Sequence, residues 1–443
     1  MQYKGLFKFI IVLLLGLVCQ KCTALTLQQA ILAADSYDSG IRAARELNSA
    51  EQQKRLEGFS GLLPQVSLNG GMSKQDQPGA SYAAGVTRHN YSFNLTQPIF
   101  DVSKFATWRR AEAMADLGQI NYMLAQQQLI SDVSEAWFTA AYASQVLKNA
   151  ERTRAAFSQQ LRQAQRGLDL GEQTRLEVDE AQANYDSAAA EVIAAESDLN
   201  NIKIRFSKLT GLSGSQIPLN TMECFTPKPL LALSKVKAKS STQNLNVQAA
   251  MFSLKQSNAD VVASAGNHLP IVTFQASYGN NWSRGEDENV IDSLFGTTSK
   301  TRNTNIGINV SIPIFAGGSH MAQSIEAAHR KEQSRQLLVD AQRKAREDAE
   351  SAWYSMMAGS AKVRAYQKAI ISAKKRMEST EYGRDIGQRT ILDALNAESD
   401  YFKSLKEIAK ARYDYITANI QLARATGELD YSYLNKFSCP SHM

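Results

Sequence analysis

The residues best suited to chemistry are few and scattered. Five histidines, His89, His268, His320, His329 and His442, stand at spacings that match no zinc-binding pattern. His320 and His329 lie nine residues apart near the start of a helical stretch, where both read as solvent-facing. There is no Gly-rich phosphate loop closed by Lys, no nucleophile elbow, and no redox Cys pair in the body of the chain. Nothing here calls for an enzyme or a cofactor.

A charged pattern that occurs twice is more telling. "LGEQTRLEVDEAQA", Leu170 to Ala183, and "IGQRTILDALNAES", Ile386 to Ser399, lie 216 residues apart. They align Glu177 with Asp393, Glu180 with Asn396 and Gln173 with Arg389. Carboxylates repeated by symmetry around a narrow opening repel one another, attract cations and respond to pH. On an isolated helix the same groups would be ordinary solvated charges. The elements that hold them decide between these readings.

The echo belongs to a long internal match. "EAWF" at Glu135 matches "SAWY" at Ser351, "GLDLG" at Gly167 matches "GRDIG" at Gly383, and "LTG" ending at Gly211 matches "ATG" ending at Gly427, all at 216. Upstream, "LPQVSL" from Leu63 matches "LPIVTF" from Leu269 at 206, and "QPIF" from Gln97 matches "IPIF" from Ile312 at 215. The chain is therefore two structural repeats, 25–230 and 231–428, followed by a tail, 429–443.

Each repeat keeps one order. A helical segment comes first, about 26–57 and about 242–264. Two strands of period two follow, at about 64–75 and 90–100, and again at about 270–282 and 302–315. Val66 and Leu68 alternate with Ser67 and Asn69, and Tyr91, Phe93 and Leu95 with Ser92, Asn94 and Thr96. The polar face is Ser, Asn, Thr, Gly and Gln, and Tyr91, Tyr278 and Trp282 stand near the ends. Lipid outside, water inside and aromatic rims give this pattern; a half-buried sheet in a soluble domain is the plainer alternative. Loops from about Gln77 to Arg88 and from Ser283 to Thr301 read as exposed.

Long helices complete each repeat, at about 103–167 and 175–209 and at about 319–382 and 390–425. The first would extend about 65 residues, or roughly 98 Å. Their Ala, Gln, Glu, Lys and Arg content, with apolar residues at mixed spacings of three and four, predicts coiled-coil-like antiparallel packing, with Trp137 and Trp353 as core residues. Gly171 and Gly387 permit the chain to reverse between the helices.

The first 24 residues have Lys4 and Lys8 before an apolar run from Phe9 to Val18 and end at Ala24, the layout of a cleaved signal peptide. Ten apolar residues are too few to span a bilayer, and Val18 before Cys19 argues against lipid attachment. Removing this segment takes the formal charge from +6 to +3, too little to indicate nucleic acid. Cys224 and Cys439 remain, and in an oxidising compartment they form a disulfide or stay as two thiols. No later apolar run is long enough for a membrane helix, so any entry into lipid is by strands. Four strands cannot close alone, because open edges leave amides unpaired at several kcal/mol each and the smallest membrane barrels have eight strands. Two copies would give eight and three would give twelve.

At this point the chain resembles the TolC family of outer-membrane channel proteins over essentially its whole mature length. The duplicated order, "QPIF" and "IPIF", and the run from Ile386 to Leu429 with its "ARYDY" segment carry the resemblance. It implies a mainly helical fold with membrane β structure: a homotrimer whose four strands per chain form a twelve-stranded barrel in the outer membrane of a Gram-negative bacterium, continued by an α-helical barrel in the periplasm. It implies an exit duct for efflux or type I secretion, opened at its tip by a periplasmic adaptor and an inner-membrane pump of RND, ABC or MFS type. At the gate it points to Asp393 and Asn396, the second an amide where the family carries an acid, with Glu177 and Glu180 in the matching places of the first repeat. It pairs Arg389 with Glu177, and it puts Arg384 where the family has Tyr. Leu170, Gly171, Ile386 and Gly387 become adaptor contacts. A periplasmic coiled-coil scaffold without a pore is the rival reading, explaining the helices but not the strands or the leader.

Overall fold

The computed structural model describes residues 25–76, 85–218, 231–285, 290, 294 and 299–433. The expected leader, both Cys224 and Cys439, and the last ten residues of the tail lie outside the described residues. The first repeat contains helices α1 (Leu27–Tyr37) and α2 (Ser39–Ser60), strands β1 (Gln65–Asp76) and β2 (Gly85–Phe100), and helices α3 (Val102–Asp169) and α4 (Arg175–Thr210). The second contains α5 (Leu233–Gln243), α6 (Leu245–Gly266), β3 (Ile271–Gly285), β4 (Ser299–Ser311), α7 (Ser319–Asp385) and α8 (Ile391–Ala425).

The opening helical segments differ from the sequence expectation: the first is two helices, and the second, expected from about 242, is preceded by a further helix that ends at Gln243. Asp38 breaks the first with extended backbone (ψ 126°), and its Oδ1 accepts the Ile41 amide at 3.0 Å, capping the new helix. Asn244 (ψ 129°) breaks the second and donates from Nδ2 to the Ala425 carbonyl at 3.0 Å. The two breaks are 206 residues apart, so they belong to the repeat. Neither contains Pro, and a composition rich in helix formers hides them; at the first, Gly40 leaves room for the capping oxygen, since a Cβ there would lie 2.9 Å from Asp38 Oδ1.

The strands form one antiparallel sheet in the order β1-β2-β3-β4. Register puts Val66, Leu95, Ala276 and Ile306 in one cross-strand row and Leu68, Phe93, Tyr278 and Thr304 in the next of the same face. The opposite face carries Ser67, Asn94, Ser277 and Asn305, then Asn69, Ser92, Gly279 and Asn303. The apolar face is uncovered within the chain, with Val66, Leu68, Phe93, Ile306 and Ile308 all exposed. On that face His89 stacks on its cross-strand partner Trp282 at 4.9 Å. β4 stops at Ser311 instead of continuing to about residue 315, because its partner strand β3 begins at Ile271, directly opposite Ser311. β2 starts at Gly85, earlier than the alternation suggests, since Val86, Thr87 and Arg88 already pair with β1 and β3. Among the described residues no helix is long and apolar enough to cross a membrane.

Contacts divide the chain into two compact units. One comprises Ala43–Leu124 and Leu245–Lys344 and holds the sheet. In it Gly58 lets α2 approach α3, since a Cβ there would lie 2.4 Å from that of Ala111. The other comprises Met1–Arg42, Ala125–Asn244 and Ala345–Met443 and holds both helical turns. Its core includes Trp137, Phe138, Phe206, Ile130, Val133 and Ile416, all essentially buried, with Trp137 and Phe206 rings 6.0 Å apart. On α4 the buried residues Ala181, Ala188, Val192, Ala195, Leu199 and Phe206 recur at threes, fours and sevens, the seam of a coiled coil. Trp353, the repeat partner of Trp137, is only half-buried and donates from Nε1 to the Leu231 carbonyl at 2.9 Å.

Candidate functional site at the helical hairpin tips

The two tips are copies in backbone as well as in sequence. After α3, Gly171 takes φ +76°, and the Gly167 carbonyl accepts from the amides of Glu172 (2.8 Å) and Gln173 (3.1 Å). After α7, Gly387 takes φ +76°, and the Gly383 carbonyl accepts from Gln388 (2.8 Å) and Arg389 (3.1 Å). A left-handed glycine that returns the chain's amides to the last turn is how a helix is stopped and reversed. The other glycine of each motif does different work. A Cβ at Gly167 would meet the Gln173 side chain at 2.8 Å, and one at Gly383 would meet Cγ of Arg389 at 2.9 Å. Each is a saddle for the residue that starts the return.

The return helices begin with capping boxes, which the sequence reading missed although Thr-x-x-Glu and Thr-x-x-Asp signal them. Thr174 accepts from the Glu177 amide, and the Glu177 carboxylate accepts from Thr174 N at 2.7 Å and Oγ1 at 3.2 Å. Thr390 and Asp393 repeat this, with Asp393 Oδ2 accepting the Thr390 amide at 3.2 Å. That backbone donor, with the Thr390 hydroxyl and nearby Arg389, holds Asp393 below the usual carboxylate range. Both repeat-aligned acids are therefore fixed at helix N-termini, where negative charge is favoured.

The remaining candidates fall around these caps. Glu180 and Asn396 sit one turn further on, both exposed. Arg384 is turned onto its own helix, donating to Asp385 Oδ1 at 2.8 and 3.1 Å with Glu381 at 3.9 Å. Arg389 is exposed, and within one chain it is not brought to Glu177. Leu170 (73% exposed) and Ile386 (50%) present apolar side chains at the turns beside Gly171 and Gly387, with Tyr382 and Leu176 also exposed.

One acid escaped the sequence reading. Glu398, on α8, is half-buried and accepts from Gln160 Nε2 of α3 at 3.2 Å. Burial, then the Glu381 charge, pushes its carboxyl up, and Arg384 opposes them. The signal was in the repeat: 216 residues earlier stands Gln182, which cannot ionise.

The same duplication shows in comparison with known proteins. The family described as outer membrane efflux protein matches residues 41–212 and 238–428, two spans whose ends are 216 apart like the tips. The chain belongs to that family. Both spans of the outer membrane efflux protein match include a hairpin tip. Among relatives, the chain is similar to outer membrane protein TolC of Vibrio cholerae serotype O1, 30% identical over 379 residues, covering 84% of this chain and 83% of that one. It is also similar to the alkaline protease secretion protein AprF of Pseudomonas aeruginosa, 28% identical over 419 residues, covering 89% and 82%. Its fold is that of the CmeC outer membrane channel of Campylobacter jejuni, with a TM-score of 0.77 at 18% identity over 93% of this chain and 88% of that chain.

Proposed function

We propose that the chain is the outer-membrane exit duct of an efflux or type I secretion system, a passive channel built from three copies. The observation that carries this is the sheet: four strands, β1 and β4 each with one edge unpaired within the chain, and one face of uncovered apolar side chains against one of Ser, Asn, Thr, Gln and Gly. In lipid such edges must be closed by other copies. Three chains supply twelve strands, and membership of a channel family favours that number over two. Residues 1–24 direct export across the inner membrane. The helical hairpins extend into the periplasm, and the duct itself performs no chemical step.

The tips form the gate. In the assembly Glu177, Glu180 and Asp393 repeat around the mouth as a fixed acidic ring in which Asn396 dilutes the charge. Arg389, exposed in the turn between α7 and α8, bridges to an acid of a neighbouring hairpin, with Glu177 the partner that the family resemblance puts there. Exposed pairs of this kind contribute about 0.2 to 1 kcal/mol each, so a few of them hold the mouth shut yet yield to a partner supplying a few kcal/mol. That partner is a periplasmic adaptor docking on Leu170, Gly171, Ile386 and Gly387, coupled to an inner-membrane pump of RND, ABC or MFS type that selects the cargo. Conductance in planar bilayers tests the gate. Arg389→Ser raises the closed-state current, and a current equal to that of the wild type would remove Arg389 from the latch.

A further inference from the structure

We propose that His268 and His320 form a binding site for a divalent transition-metal ion at the junction of the sheet with its flanking helices. His268 lies in the turn between α6 and β3, and His320 is the second residue of α7, shortly after β4. Their rings meet edge to face with centroids 5.5 Å apart. Two imidazoles bound to one ion at the usual metal–nitrogen distance have ring centres about 4.5 Å apart at the right angle of a square-planar ion and about 5 Å apart at a tetrahedral angle. Sharing an ion requires the 5.5 Å separation to close by about 1 Å or less and the edge-to-face contact to open, so that a nitrogen of each ring faces the ion.

The surroundings hold the backbone that carries the exposed His268. Three consecutive turn bonds fix the backbone: Asn267 N to Ser264 O (3.3 Å), His268 N to Ala265 O (3.2 Å) and Leu269 N to Gly266 O (2.9 Å). The Ser103 hydroxyl of α3 shares its one proton between Asn267 Oδ1 at 2.9 Å and the Ala263 carbonyl at 2.8 Å. Gly266 admits this contact, since a Cβ there would lie 2.7 Å from Ser103 Oγ. Asn267 Nδ2 in turn reaches Gln323 Oε1 at 3.4 Å. Gln323 is one turn beyond His320 on the same helix face, so its amide oxygen is available as a third donor.

The repeat shows that the fold does not demand these histidines. At the matching offsets of 206 and 216 the first copy has Leu62 and Lys104. Among the described residues no cluster of three or more His, Cys, Asp or Glu is placed to hold a metal, so Gln323 and water complete the coordination. Two nitrogens with oxygen donors favour Cu²⁺ over Ni²⁺ and Zn²⁺.

The test is titration of the untagged full chain in detergent with Cu²⁺, followed by calorimetry and by electron paramagnetic resonance. The wild type should bind saturably, with hyperfine splitting from two imidazole nitrogens, and more weakly with Ni²⁺ or Zn²⁺. His268→Ala and His320→Ala should each abolish that signal while leaving the circular dichroism unchanged, and His329→Ala should leave it intact. Gln323→Ala should weaken binding and keep the two-nitrogen pattern. A wild type without saturable binding, or undiminished binding in both His268→Ala and His320→Ala, would overturn the site.

Discussion

The side chain of Arg389 folds over Gly383, its Cγ 2.9 Å from where a Cβ at that position would lie. The proposed latch residue is thus aimed by a glycine six residues earlier, as Gln173 is by Gly167. The two glycines of each tip separate in experiment. Gly387→Ala and Gly171→Ala force an L-residue into the left-handed region and should cost about 1 to 2 kcal/mol each, read by denaturant unfolding. Gly383→Ala should cost less, because the end of an exposed Arg can move, yet it should raise the closed-channel current as Arg389→Ser does. A stability loss at Gly383→Ala equal to that at Gly387→Ala would contradict this division.

Glu177 has two roles that one substitution separates. Its carboxylate completes the α4 cap by accepting from Thr174, and a Gln side chain can do the same. Glu177→Gln should therefore leave helix content and thermal stability near wild type, while Thr174→Ala should cost about 1 kcal/mol. If Glu177 also pairs with Arg389 of a neighbouring hairpin, Glu177→Gln raises conductance. Wild-type conductance with intact folding would assign Glu177 to the cap alone.

Glu398 and Asp393 give the protein opposite responses to acid. Asp393 has a depressed value in the folded chain, so its contribution is present above the ordinary value of 3.8 and is lost as pH falls through the folded value. Glu398 is raised, so its contribution is complete below the ordinary value of 4.5 and is lost as pH rises through the folded value. Melting temperatures of wild type and Glu398→Gln should converge below pH 4.5, with the variant increasingly more stable as pH rises. A difference independent of pH would show that the Glu398 carboxyl does not titrate as its burial implies.

The two faces of the sheet should tolerate charge differently. Ile306 belongs to the exposed apolar row and its neighbour Asn305 to the polar one. Ile306→Arg should cost about 2 to 4 kcal/mol if the residue lies near the bilayer midplane, seen as loss of heat-resistant oligomers, whereas Asn305→Arg should assemble and shift ion selectivity. Equal tolerance of both would argue for a sheet that meets no lipid.

Much of this architecture is legible because the chain is written twice. The 216-residue offset aligns both tips, Gly171 with Gly387 and Glu177 with Asp393, and period two alone separates Val66 and Leu68 from Ser67 and Asn69. The illegible features depend on tertiary contacts. Asp38 and Asn244 break helices that local propensity would continue, one by capping Ile41 and one by bonding to Ala425. Trp137 and Trp353 occupy equivalent positions and both pack on a core, but Trp137 is fully buried, whereas Trp353 lies at the edge of the Val236, Ala349 and Ala425 cluster with its N–H bonded to the segment before α5. Glu398 matters only once Gln160, far away in the sequence, closes over it. The Arg389 partner lies in another chain under the proposed assembly, which one copy of a repeat cannot reveal.

The central claim is that three copies close the open edges of β1 and β4 into one twelve-stranded barrel. Native mass spectrometry of the detergent-solubilised full chain measures this directly. The account predicts a single assembly of three chains. A soluble monomer, or an assembly of two or four chains, would contradict it.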